Sequence, residues 1–220
     1  MEQYGADLTF EEWVRYVFDN PPGYAWVDQL ADWGTIAPAT MVAYLGRLCA
    51  EAGTQLTPYA DAQVAQSFWF LAGGGTGALD ALLDEGVPWP ARQVALRAIG
   101  TLFTDCFAPR CGPFLSHLDE GSDQPLNGLC YMWWDLFPTW GHPALPGQAA
   151  VDAEVLALLA QILALPSDAC RESALHGLGH WATAYPGPVE AIINVWLRAQ
   201  PALRPELHRY AECARRGCVL

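Results

Sequence analysis

Two stretches of this chain look alike at a constant distance, and that repetition narrows the fold more than any other feature. Residues 91–100 lie over residues 170–179 at an offset of 79. Arg92 matches Arg171, Ala95 matches Ala174, Leu96 matches Leu175 and Gly100 matches Gly179. Beyond them Thr104 matches Thr183, Pro109 matches Pro188 and Leu118 matches Leu197. The match spans a helix, a turn begun by proline and a second helix. An offset near 80 is about two periods of a repeat unit of roughly 40 residues built from paired helices. Such a unit cannot bury its apolar side alone, so the pattern demands stacked neighbours.

The rest of the chain reads as helices separated by Pro and Gly. Thr9 and Glu12 form a capping box, with Leu8 set to pack on Trp13. Phe10, Trp13, Val14, Val17 and Phe18 then make one apolar stripe, closed by Pro21-Pro22-Gly23. A short segment from Tyr24 to Trp33 has no clear period. A helix is expected from Ala37 to Ala52, and another from Thr57-Pro58, with the threonine as cap. Gly73 to Gly77 is a connector: no Gly-Lys-Ser/Thr follows, so it is not a phosphate loop. Trp89-Pro90 begins a long helix to Phe107, and Pro109 a shorter one through Phe114, Leu115 and Leu118. Further helices are expected after Asp123-Pro125, over 151–165, after the cap Ser167, over 189–199 and from Pro205 to Gly217. No useful stretch alternates with the period of a strand.

In these helix-turn-helix units, and in the proline after the first helix of each pair, the chain resembles the HEAT and armadillo class of helical repeats. The likeness is strongest over 88–200. It implies an all-α fold, with antiparallel helix pairs stacked as a short solenoid with a concave face. It implies no particular activity, since function on such stacks sits in a grafted site. The expectation is a single domain over 1–220, with less regular helices at 8–85 and clearer repeats at 88–217.

Composition removes whole classes of function. The net charge is −13, which repels phosphate backbones, so no nucleic acid is expected as partner. All eleven basic residues are arginine, which excludes a P-loop lysine and a Schiff-base lysine. The first residues lack a basic region followed by an apolar one, and no run of about 18 apolar residues occurs, so neither a secretory signal nor a membrane span is expected. Seven cysteines without close pairs suggest reduced thiols in a cytoplasmic protein. Cys106 and Cys111 read as buried thiols rather than a metal or redox pair. Trp133, Trp134 and Trp140 read as core, with an aromatic recognition wall as the alternative.

One cluster can carry chemistry. On a helix, Glu172, His176 and His180 fall at i, i+4 and i+8 on one face. Two imidazoles so spaced can chelate one metal ion, and Glu172 can supply a third ligand or orient His176 in a proton relay. In the matching repeat His176 becomes Arg97 and His180 becomes Thr101, while Ala, Leu and Gly scaffold positions are kept. The scaffold therefore does not demand histidine there. Trp181 and Arg97 join Glu172, His176 and His180 as candidate binding residues. The alternative is that both histidines are hydrogen-bonded packing residues. Gly177 and Gly179 each cost about 1 kcal/mol against alanine in a helix, and close helix approach is the simplest reason for them. The zinc-protease pattern needs glutamate after the first histidine, where this chain has Gly177, and no His-Glu dipeptide occurs.

Two functions remain open from sequence. One is a non-enzymatic, acidic, tryptophan-rich module that binds a protein partner, such as an adaptor or an immunity-type binder of a basic partner, with no cofactor. The other is an enzyme or small-ligand protein with a polar or metal site around Glu172, His176 and His180.

Overall fold

The computed structural model describes residues 8–25, 36–73, 76–200 and 202–219. Among these residues all regular structure is helical and no strand is present. No helix among them is long and apolar enough to cross a membrane. Most of the segment from Tyr24 to Trp33 lies outside the described residues. The chain groups into two compact units, Met1–Cys106 and Phe107–Leu220.

In the first unit, α1 (Phe10–Phe18) opens with the expected box: Glu12 N–H donates to Thr9 Oγ1, and Thr9 N–H donates back to the Glu12 carboxylate. Its stripe of Phe10, Trp13, Val14, Val17 and Phe18 is buried. Helix α2 (Pro38–Ala50) is followed by the single turn α3 (Ala52–Gln55). Helix α4 (Asp61–Ala72) begins four residues later than Thr57. Thr57 turns backward instead, its hydroxyl donating to Gly53 O at the end of α3. The start of α4 is held by Gln63, whose side chain accepts the N–H of Ala60. Ser67 of α4 donates to Val17 O of α1 at 2.7 Å, joining those helices through the core. Helix α5 (Trp89–Leu102) packs on α2, and Phe103–Phe107 continues it as one wider π turn.

The second unit is organised around α9. Its helices are the short α6 (Ala108–Arg110), α7 (Pro125–Leu136), α8 (Ala149–Leu163), α9 (Asp168–Trp181), α10 (Pro186–Arg198) and α11 (Pro205–Ala214). Helices α7, α8 and α11 pack against α9. Ser167 caps α9 as expected, accepting the N–H of Cys170 at 3.4 Å. Gly177 is what lets the neighbours close in: a Cβ there would lie 2.6 Å from Trp134 Cγ of α7 and 2.8 Å from Leu159 Cδ2 of α8. Gly179 does the same for the C-terminal strap, where a Cβ would meet Val219 at 2.5 Å.

The two look-alike stretches are both helical in their first halves. Helices α5 and α9 occupy residues 89–102 and 168–181, the same positions at the offset of 79. The second halves differ. Residues 186–198 form α10, but 108–118 form one α turn, a loop and the 3-10 turn Ser116–Leu118. The expected helix from Pro109 through Leu118 is broken by Gly112-Pro113, because proline lacks an amide donor and disfavours helical backbone in the residue before it. No such pair interrupts residues 189–198.

Candidate metal centre

Three ligand atoms converge where α7 meets α9. Pro125 starts α7, and four residues apart on it stand Tyr131 and Asp135. Glu172, His176 and His180 descend one face of α9. His176 Nε2 lies 2.6 Å from Asp135 Oδ2 and 3.0 Å from His180 Nε2, and His180 Nε2 lies 3.2 Å from Asp135 Oδ1. Among the described residues this is the one group of three ligand-bearing side chains close enough together to hold a metal ion.

The cluster is graded in exposure. His176 is buried at 1% of its side-chain surface, while His180 and Asp135 keep 18% and 25%. One side of the triangle therefore faces solvent and the other faces the core. Trp140, from the loop after α7, stacks on the His180 ring at 4.6 Å and an interplanar angle of 9°. Its Nε1 donates to Trp134 O at 3.1 Å, which fixes the indole in place. Trp140 also lines a cleft of about 300 Å³ with Phe137, Pro138, Thr139 and His142. Of the three tryptophans read as core, Trp133 and Trp134 are buried and Trp140 is half exposed beside the site.

Behind His176 runs a chain of phenols. Its Nδ1 lies 2.7 Å from Tyr210 Oη of α11, and Tyr210 Oη lies 3.2 Å from Tyr131 Oη. Burial, then the contact with Tyr131, pushes the Tyr210 hydroxyl far above the ordinary tyrosine range. Burial also raises Tyr131. Both phenols are therefore held protonated. Burial works against the charge on Asp135, but hydrogen bonds from His176 and His180 outweigh it and hold the carboxyl well below its usual range. Asp135 is thus an anion.

Glu172 does something other than ligate with the two histidines. It is 1% exposed and ends three donors: the N–H groups of Ser116 and His117, each at 3.0 Å, and His117 Nδ1 at 2.5 Å. The His117 ring stacks on Tyr210 at 4.1 Å and 17°. Glu172 therefore fastens the 3-10 turn onto α9 and seats His117 against the ring that braces His176. The third side chain in the triangle is Asp135. Trp181 is buried in the core and stacked on Tyr185. Arg97 sits exposed on α5 of the first unit.

Sequence reasoning passes over Asp135, His117, Tyr131 and Tyr210. Asp135 leaves a trace: apart from His142, it is the one ionisable charge between Asp123 and Asp152, set in the apolar run of α7. The pairing of His117 with Glu172 crosses 55 residues and leaves no local pattern.

His176 Nε2 contacts Oδ2 of Asp135 and His180 Nε2 contacts Oδ1. With a proton on each Nε2, both imidazoles donate to the carboxylate, each to its own oxygen. With neither Nε2 protonated, the same atoms offer two nitrogens and a carboxylate to a cation. A tetrahedral ion with bonds of about 2.0–2.1 Å spaces its ligands roughly 3.3 Å apart, and the two Nε2 atoms stand 3.0 Å apart. Comparison with protein-family models, curated proteins and solved structures finds no match for the chain.

Proposed function

We propose that the unit Phe107–Leu220 binds one divalent transition-metal ion through Asp135, His176 and His180, with at least one coordination position open to solvent. The observation that carries this reading is the convergence of His176 Nε2, His180 Nε2 and the Asp135 carboxylate within metal-ligand reach of one another. Two imidazoles and one carboxylate with a free position are the donor set of catalytic zinc and non-haem iron centres, not of closed structural sites. The surroundings agree with it. With Nε2 of His176 turned to an ion, its Nδ1–H would donate to Tyr210 Oη, leaving the Tyr210 hydroxyl to donate its hydrogen bond to Tyr131 Oη. Such a backing partner is what orients a ligating histidine. An ion held there by Asp135, His176 and His180 would polarise a bound oxygen or lower the pKa of a bound water. The cleft lined by Trp140 gives a reacting molecule a place beside it.

This reading is favoured over the protein-binding module because three ligand atoms converge here. The HEAT-like relationship belongs to the same proposal. It rests on the coincidence of α5 with α9 and assigns no chemistry.

The test is metal analysis of the full chain after chelation and reloading with Zn²⁺ or Co²⁺. One ion per chain is expected, with affinity at least 100-fold weaker in Asp135→Asn and His176→Ala. Glu172→Gln is expected to keep one ion per chain. Sub-stoichiometric binding by the folded wild type would overturn the proposal, as would an Asp135→Asn variant that binds like wild type.

A further inference from the structure

The cleft beside the metal triangle is lined by Phe137, Pro138, Thr139, Trp140 and His142, all on the segment that follows α7. That segment is pinned along its length. Trp140 Nε1 donates to Trp134 O, and Gly141 N–H donates to Thr139 Oγ1, both at 3.1 Å. His142 N–H donates to Asp152 Oδ2 at 2.8 Å, the same oxygen that accepts from Tyr185 Oη at 2.7 Å. Asp152 is buried on α8, so this tie ends in the core. Gly141, at φ +89°, packs so closely on Tyr185 that a Cβ would lie 2.9 Å from its ring. A wall fixed in this way keeps its shape before a ligand arrives, so little ordering is lost on binding.

The lining sets the chemistry of the occupant. Trp140 is 47% exposed although its indole is held by both His180 and Trp134 O, so it offers a flat apolar surface that cannot turn away from solvent. Phe137 and Pro138 add apolar surface beside it. Of the five lining side chains only His142 can carry a charge, and none is a carboxylate or a guanidinium. The cleft therefore suits an apolar, flat body and holds no acid to pair with a cationic one. The charge complement lies next to it. Ligating imidazoles are neutral, so a divalent ion held by them and the Asp135 carboxylate keeps one net positive charge, which a single anionic oxygen donor neutralises. Trp140 belongs to both places, lining the cleft and stacking on His180.

We propose that this cleft binds a small aromatic monocarboxylate, with its ring against Trp140 and its carboxylate on the open position of the ion. The proposal rests on the metal reading above and names the class of molecule that site takes. The volume of about 300 Å³ lies at the lower end of small-molecule pockets, which run from about 300 to 1,000 Å³, so the body is a single ring. An aliphatic acid of the same charge meets the ion equally well but gives up the stacking on the indole. A very short acid gives up the apolar contact as well.

The test is titration of the Co²⁺-loaded full chain with benzoate, cyclohexanecarboxylate and acetate, read in the visible absorption of the cobalt. Benzoate is expected to bind about tenfold tighter than acetate or better, and about threefold tighter than cyclohexanecarboxylate, which has the same charge and similar bulk but no flat face. In the cobalt-loaded form of Trp140→Leu, benzoate is expected to fall within about threefold of acetate. The proposal is overturned if the loaded wild type binds the three acids alike, or if Trp140→Leu keeps the wild-type preference. It is also overturned if the metal-free chain, followed by tryptophan emission, binds benzoate as tightly as the loaded one. A chain that shows no cobalt band before any acid is added fails the metal reading and takes this proposal with it. A loaded chain that ignores the ring overturns this proposal alone. The comparison of acids on the wild type decides even if Trp140→Leu fails to fold.

Discussion

Replacing Glu172 by glutamine separates a fastening role from a ligand role. The wild-type carboxylate accepts from Ser116 N–H through one oxygen, and from His117 N–H and Nδ1 through the other. Glutamine offers one oxygen. Set at the His117 side, it keeps two bonds and turns its NH₂ toward the N–H of Ser116, donor against donor. Set at the other side, it keeps one and opposes two. The better choice still leaves a buried amide unsatisfied, which costs about 1–3 kcal/mol. It also turns two charge-assisted bonds into neutral ones of roughly half the strength, about 1 kcal/mol more. The expected loss is about 2–4 kcal/mol. Urea unfolding of the full chain, followed by tryptophan emission, reads it. With a slope of about 1–3 kcal/mol per molar, the midpoint falls by about 1 M or more. A loss under about 1 kcal/mol would refute the fastening role. So would unchanged stability coupled with loss of the metal, since Glu172 would then be acting where Asp135 is placed.

Other substitutions test the packing and the remaining buried acid. Gly177→Ala is expected to destabilise by about 1–3 kcal/mol despite its better helix propensity, because the new methyl meets Trp134 and Leu159 inside contact distance. Gly128→Ala, on α7 with nothing within 4 Å of the new atom, is expected to stabilise by about 0.8–1 kcal/mol; equal signs for the two in thermal unfolding would contradict the geometry. Tyr185 donates to buried Asp152 at 2.7 Å, and burial followed by that bond pushes its hydroxyl up to about 12. A raised folded value means the stability from this group is complete below the ordinary tyrosine pKa of about 10 and is lost as pH rises through about 12. Tyr185→Phe should therefore trail wild type by a constant margin below pH of about 10, and the margin should shrink above it in urea titrations. A margin independent of pH to the alkaline limit would refute the assignment.

Local rules found most of the helices because their signals are contained within a turn. Thr9 with Glu12, Ser167 before Cys170, and proline at the first turn of α5, α7 and α11 each act over four residues or fewer, and the structure uses each where the sequence places it. Thr57 failed as a start signal because a hydroxyl can cap forward or bond backward, and the nearby Gly53 carbonyl took it. The repeat misled in its second half for a similar reason. Matching Pro109 to Pro188 aligned two turn residues, while the Gly112-Pro113 pair that decides the outcome has no counterpart there.

The site divides along the same line. The spacing of His176 and His180 is a property of one helix, so it could be read directly. Which carboxylate joins them is a property of helix packing: Glu172 shares their face, but the turn at 116–118 lies close enough to claim it. Asp135 arrives from α7 because Gly177 lets Trp134, its neighbour in sequence, press against α9. The glycine and the aspartate are thus one device. Any side chain at 177 that props the helices apart should loosen the Asp135–His176 contact and weaken metal binding along with stability. Gly177→Ala should therefore lower affinity for Zn²⁺, whereas Gly128→Ala, on the same contacting helix but in open space, should leave it unchanged. If both variants bind alike while only one is destabilised, the closeness of the helices does not set the geometry of the triangle.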